Sequence, residues 1–176
     1  RLSSPPSGVS SLAAHAQRVI VSAIMRGMSA SSTTPNTTGA LAPGLARGLC
    51  ATVEIVVGTR DTAAHVGSGK IGVLATPILV TLLESAALQA VEQFMVKGQQ
   101  TVGTRLDISH TAATPVGMRV RARAELVKVE GRKLSFNLRA EDEVETIAQG
   151  VHERLIISVE RFDQRMQKKS AQRGAR

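Results

Sequence analysis

The sequence predicts an α+β domain in which one long buried helix is wrapped by a curved antiparallel sheet. Three observations predict it. A single charge-poor stretch from Ala75 to Phe94 carries the start signal and the composition of a helix. Separate segments before and after it alternate apolar and polar residues with the period of a strand. Those after the helix are joined by short connections, which suits antiparallel neighbours on one sheet.

In the helix, Thr76-Pro77 is the opening: a threonine hydroxyl can accept from an orphan first-turn N–H, and proline at the first helical position gives up no hydrogen bond. The Leu- and Ala-rich run behind it reads as buried on most of its circumference, and Lys97-Gly98 ends it with glycine in the usual stop position. Glu84 stands in its middle. At helical spacing its neighbours are Val80, Thr81, Ala87, Leu88 and Val91, so the carboxylate leaves an apolar face. A carboxylate there is costly unless it is paired or used. Glu92, near the far end, reads as solvated.

The first strand is Cys50 to Val57, where Val53, Ile55 and Val57 alternate with Thr52, Glu54 and Val56. Gly58 to Gly72 is polar and glycine-rich and reads as a mobile loop ahead of the helix. Its Gly67-Ser68-Gly69-Lys70 has neither the spacing of a phosphate-binding loop nor the Ser or Thr after the lysine. Thr101 to His110 is a strand with Val102, Thr104, Leu106, Ile108 and His110 on one face and Gly103, Arg105, Asp107 and Ser109 on the other. After a turn at Thr114-Pro115-Val116-Gly117, Met118 to Leu126 alternates apolar residues with Arg119, Arg121, Arg123 and Glu125. Glu130-Gly131 marks a hairpin, Leu134 to Ala140 returns the chain, Glu141-Asp142-Glu143 is a solvated turn, and Thr146 to Glu160 is the last strand. This layout is the hotdog architecture, in which pairing two sheets edge to edge in a dimer is the expected completion.

Charge separates this domain, residues 49–162, from its ends. Residues 1–53 hold four arginines and no acid, Glu54 to Phe162 balances 13 basic against 13 acidic residues, and Asp163 to Arg176 holds five basic and one acidic, which sums to +8. A neutral middle with no Trp, no Tyr and three Phe argues against nucleic-acid binding by the domain, leaving RNA or acidic lipids to the basic ends. Residues 1–48, rich in Ser, Thr, Ala, Gly and Pro, have the composition of a mitochondrial transit peptide, with Leu12 to Met28 as its amphipathic helix; an ordinary extension is the plain alternative. Residues 163–176 are a basic tail that can begin as a helix but has no apolar stripe. The lone Cys50 permits no intrachain disulfide and opens an apolar run, where cysteine is usually a small core residue. No apolar run is long enough for a membrane span, and no His, Cys and carboxylate cluster has ligand spacing, so neither a metal nor a cofactor is expected.

Ala75-Thr76-Pro77, Glu84 eight residues after the threonine, Val102-Gly103-Thr104, Ser109-His110 with Ala113 to Met118, and His152-Glu153-Arg154 together resemble the hotdog thioesterases related to fluoroacetyl-CoA thioesterase, over roughly residues 50 to 162. The resemblance implies a catalytic set of Thr76, Glu84 and His110, with Gly103 and Arg154 beside the acyl group. The chemistry of the residues agrees. Hydrolysing a thioester needs an attacking oxygen, a proton donor or acceptor and a stabiliser of the oxyanion. Glu84 can be the nucleophile or can activate water; His110 can offset its charge and protonate the leaving thiolate; Thr76 can orient either. Taken singly, Thr76 reads as a cap, Gly103 as a bulge and Arg154 as a surface residue, while Glu84 stands evenly between a role and none, and His110 evenly between a role and a hydrogen-bonded place in the core.

Eight residues of helix advance about 12 Å, so Thr76 and Glu84 cannot touch on one straight helix. Either Thr76 lies on a bend before it or the site is shared between subunits. The family's lid is aromatic-lined, and Gly58 to Gly72 has no aromatic residue, so the resemblance implies thioesterase chemistry without the fluoroacetyl substrate. The expected activity is that of a mitochondrial acyl-CoA thioesterase, a homodimer. The alternatives are a non-catalytic hotdog subunit of a large mitochondrial assembly, such as a ribonucleoprotein, anchored by its basic ends, and a hotdog dehydratase.

Overall fold

A computed structural model describes residues 43–173. The transit-like segment expected over residues 1–48 lies almost wholly outside them. Five strands form one antiparallel sheet in the order β1-β3-β4-β5-β2: β1 Cys50–Val56, β2 Gln99–His110, β3 Arg119–Glu130, β4 Lys133–Glu141 and β5 Thr146–Ser158. The long helix α2, Thr76–Val91, lies across β1 and β3. A short helix α1, Ala63–Val66, precedes it, and a C-terminal helix α3 covers Val159–Arg173.

The core follows the alternation in the sequence. Ala51, Val53 and Ile55 of β1, Val120, Ala122, Ala124 and Leu126 of β3, and Leu134, Phe136, Leu138 and Ala140 of β4 face α2, which buries Leu79, Leu82, Leu83, Ala86, Ala87, Ala90 and Val91 against them. The polar residues of the same strands make the outer face, where Glu54 accepts from both Arg119 and Arg121. Removing these apolar side chains from water is the main stabilising term. One flank of α2 is not buried: Thr81 is exposed, and Glu84, Ser85 and Leu88 are partly so.

Four features depart from the sequence reading. The chain from β2 to β3 is not a link between neighbours, because β2 pairs with β5 and stands at the opposite edge of the sheet from β1. The expected loop over residues 58–72 carries a 3-10 turn and α1, with bridges Thr62↔Leu74 and Val73↔Pro115 at its end. The acidic turn after β4 is more than solvated, since Asp142 accepts from the Val144 and Glu145 amides and from the fully buried Thr114 hydroxyl. The last strand stops at Ser158, and α3 runs through the expected boundary at residue 162, with Met166 half-buried.

Candidate active site

Thr76 is the first residue of α2, and Ala75 is its N-cap, without a side-chain cap hydrogen bond. Proline follows as the second helical residue, where its missing N–H again costs nothing. The threonine is therefore not the cap that the sequence suggested. Its hydroxyl instead meets His110 Nδ1 at 2.9 Å, joining the start of α2 to the end of β2. The other ring nitrogen, Nε2, is buried without a hydrogen-bond partner. Buried polar atoms are rarely left so, and those that are often belong to working sites. Burial lowers the His110 pKa from its ordinary 6.5, and the Ala112 backbone opposes the shift without cancelling it. The ring is thus neutral at pH 7.

Thr76 and His110 share the wall of a cavity of about 780 Å³ with Ile71, Val73, Pro77 and Val80. That volume is within the usual range for a small-molecule site. The short segment around α1 closes one side of it, through Ser68, Gly69 and Lys70.

Glu84, Gly103 and Arg154 form a second cluster two turns further along α2. Gly103 sits beside a bulge between Gly103 and Arg105 that shifts the pairing of β2 with β5. The extra residue reverses the alternation. Thr101 and Gly103 therefore share the inner face with Leu106, Ile108 and His110, whereas uninterrupted alternation assigned Gly103 to the opposite face. A Cβ at Gly103 would overlap Glu84 Oε1, so this is a position of close approach as well as a bulge. Arg154 is no surface residue: it is 6% exposed, and its guanidinium donates to the Thr101 hydroxyl and carbonyl at 3.0 Å each. Its Nη1 lies 4.0 Å from Glu84 Oε1. The cation that faces Glu84 within one chain is thus Arg154 and not His110, and the Glu84 side chain is 42% exposed.

His152 belongs to this cluster, and the sequence reading gave it no role. It is 1% exposed, and its Nδ1 stands 2.7 Å from the Arg105 carbonyl. A carbonyl only accepts, so Nδ1 carries the proton. Nε2 then accepts from Arg154 Nη1, a pure donor, at 3.2 Å. Burial holds its pKa below 6.5, with Arg154 adding to the shift and Arg105, Glu84 and Glu153 opposing it. The 3.6 Å approach of Nε2 to Glu84 is accordingly not an ion pair. His152 aims Arg154, and Phe136 packs beside the imidazole. The signal was present: His152, Arg154 and Ile156 have the same parity as the inward Ala148 of β5.

Each chain therefore brings together Thr76 with His110, and Glu84 with Gly103, Arg154 and His152. Glu84 makes no hydrogen bond or ion pair to His110 or Thr76 among the described residues. The threonine lies on the helix itself, which removes the bend as a way of joining the two halves.

Comparison with known proteins gives one consistent result. A model of the family described as fluoroacetyl-CoA-specific thioesterase matches residues 57–160. The fluoroacetyl-CoA thioesterase of Streptantibioticus cattleyicolor is 41% identical over 98 residues, which is 56% of this chain and 70% of that protein. A solved structure of a fluoroacetyl-CoA thioesterase superposes with a TM-score of 0.67 at 36% identity, covering 72% of this chain and 98% of the other. A Thermus thermophilus member of the thioesterase superfamily gives 0.72 at 25% identity, over 76% of this chain and 99% of its own. These neighbours share the hotdog fold that the sequence predicted.

Proposed function

This chain belongs to the fluoroacetyl-CoA-specific thioesterase family, and on that premise we propose that it hydrolyses an acyl thioester of coenzyme A through Glu84, His110 and Thr76. The observation that carries the reading is the His110 ring, tied to Thr76 at Nδ1, with its unpartnered Nε2 buried beside the cavity wall. With the Thr76 hydroxyl donating to Nδ1, Nε2 bears the ring proton and offers it to the carbonyl oxygen of the thioester. Glu84 takes a proton from water as the water oxygen adds to the carbonyl carbon. Nε2–H then stabilises the oxyanion. The C–S bond breaks as the carbonyl re-forms, and the thiolate takes up the proton that Glu84 removed, leaving acid and free thiol. The depressed pKa of His110 suits a neutral hydrogen-bond donor better than the proton donor to sulfur that the sequence suggested.

The site is shared between two subunits. Strand β2 is an edge strand, and it carries both Gly103 and His110. Antiparallel pairing of two β2 strands about Asp107, with the bulge taking up the extra residue Thr104, sets His110 across from Gly103 of the partner subunit, beside Glu84 of the partner subunit. Mixing inactive Glu84→Gln with inactive His110→Ala protein tests this. Half of the dimers are then mixed and each has one intact site, so about a quarter of wild-type activity returns. No recovery after verified subunit exchange would place the whole set in one chain. Residence in mitochondria is part of the same proposal, and import of a fluorescent fusion carrying residues 1–48 checks it.

Thiol release from a panel of acyl-CoAs tests the activity itself. Turnover by wild type and its loss in His110→Ala are expected. A folded wild-type protein that releases no thiol from any of them would overturn the reading.

A further inference from the structure

Among the described residues of one chain, the cavity beside Thr76 and His110 has one fixed charge. Lys70 lines it, no carboxylate of the same chain does, and its remaining walls are mostly apolar, among them Ala63, Leu74 and Val80. Lys70 makes no ion pair among the described residues, while lysines elsewhere, such as Lys128 and Lys133, are paired with Glu130 and Glu153. Lys70 is exposed, so it stands at the rim of an otherwise mostly apolar wall, and a cation there without a counter-charge favours an anion. No phenylalanine lines it either, so the wall has no aromatic surface to close over a small apolar acyl group.

We propose that the acyl group this cavity takes ends in a carboxylate, a short dicarboxylic half-thioester, with Lys70 as its counter-charge. The inference rests on the thioesterase reading and names its substrate class. Coenzyme A brings anions of its own in its phosphates, and distance argues against them as the partner. The arm between the thioester sulfur and the first phosphate is the equivalent of about four residues of extended chain, roughly 14 Å. A volume of 780 Å³ taken as a sphere would be about 11 Å across, and Lys70 lines the same cavity as Thr76 and His110. A carboxylate three or four carbons from the reacting carbonyl falls inside that span, with the lysine side chain long enough to meet it.

The geometry of the loop fits this role. Gly67 takes a left-handed conformation at φ 80°, and the Ser68 and Gly69 amides both donate to the Ala63 carbonyl. Those bonds fold the segment back on α1 just before Lys70. The segment that the sequence offered as a false phosphate loop thus carries its lysine to the cavity wall, and the lysine is the part that matters.

The test compares glutaryl with valeryl thioesters, each on coenzyme A and on N-acetylcysteamine, which has no phosphate. In wild type the carboxylate-ended substrate leads in kcat/KM by about fivefold or more on both carriers, the effect of one ion pair at a partly wet site. Lys70→Met brings the ratio close to one, and Lys70→Glu reverses it. A ratio near one in wild type, or a ratio that Lys70→Met leaves unmoved, would overturn the proposal. So would a loss in Lys70→Met that appears on coenzyme A for both acyl groups and vanishes on the truncated carrier, since the lysine would then serve the phosphates. If wild type hydrolysed no thioester at all, the function reading would fall alone. Titration of free glutarate and valerate into wild type and Lys70→Met would then decide the cavity. Glutarate binding that the substitution abolishes supports the charge assignment, and equal binding of the two acids refutes it.

Discussion

Substituting Gly103 with alanine separates the role proposed for the Glu84 carboxylate from its part in the fold. The added methyl would overlap Glu84 Oε1 and lie 3.1 Å from His152 Cε1. The two neighbours differ in what they can yield. His152 is 1% exposed and held at both nitrogens, whereas the Glu84 side chain is 42% exposed and free to swing outward. The glutamate moves. Its new rotamer and the lost approach to Arg154 cost about 1 kcal/mol, which lowers Tm by roughly 3 °C. Gly103 does not have a positive φ, so no backbone strain is added. Activity responds far more, because displacing a reacting group by about 1 Å costs on the order of a hundredfold in rate. Steady-state thiol release and thermal melting on the same preparation read both quantities. A kcat within threefold of wild type would refute the placement of Glu84 against Gly103. A fall in Tm above 10 °C would show the position to be structural.

Other outcomes follow from the same geometry. His152→Phe strands the Arg105 carbonyl and one Arg154 donor in the interior, so unfolding should cost about 3 kcal/mol less and Tm should fall by about 10 °C. Thr76→Val removes the partner of His110 Nδ1 and should lower kcat about tenfold with little change in KM, while Thr76→Ser retains most of the rate. Stability should depend on pH in a defined window. Burial depresses the pKa of His110 and His152 below 6.5, so near and below that pH the unfolded chain binds more protons than the folded one. Urea midpoints should hold above about pH 7.5 and fall steadily from pH 6.5 to 5, and His152→Gln should flatten part of that slope. Carboxylates held low, such as Glu153 beside Lys133, lose their contribution only below about 4.5.

Most of the fold was legible because its signals are local. The Thr-Pro opening of α2 and the alternation in β1, β3 and β4 are read from neighbours in sequence, and each matches the buried faces within a residue or two. The position of β2 was not legible, since local pattern does not say which edge a strand joins. The bulge after Gly103 was hidden for a related reason. A bulge is set by pairing with β5, and it reverses the faces that strict alternation assigns. Thr76 was read as a cap because threonine commonly is one; the helix begins a residue earlier than that role requires, and the hydroxyl is released to His110. His152 was within reach, as its parity in β5 places it inward with Arg154. Lys70 was seen as a failed phosphate motif, because only the folded chain shows which cavity it borders.

The most direct measurement is thiol release from acyl-CoA by wild type and Glu84→Gln, with melting curves to show that both are folded. The substitution keeps the shape of the side chain and removes its capacity to take a proton. A loss of kcat of at least about a hundredfold at an unchanged Tm is expected. A Glu84→Gln protein as fast as wild type across the panel would contradict it.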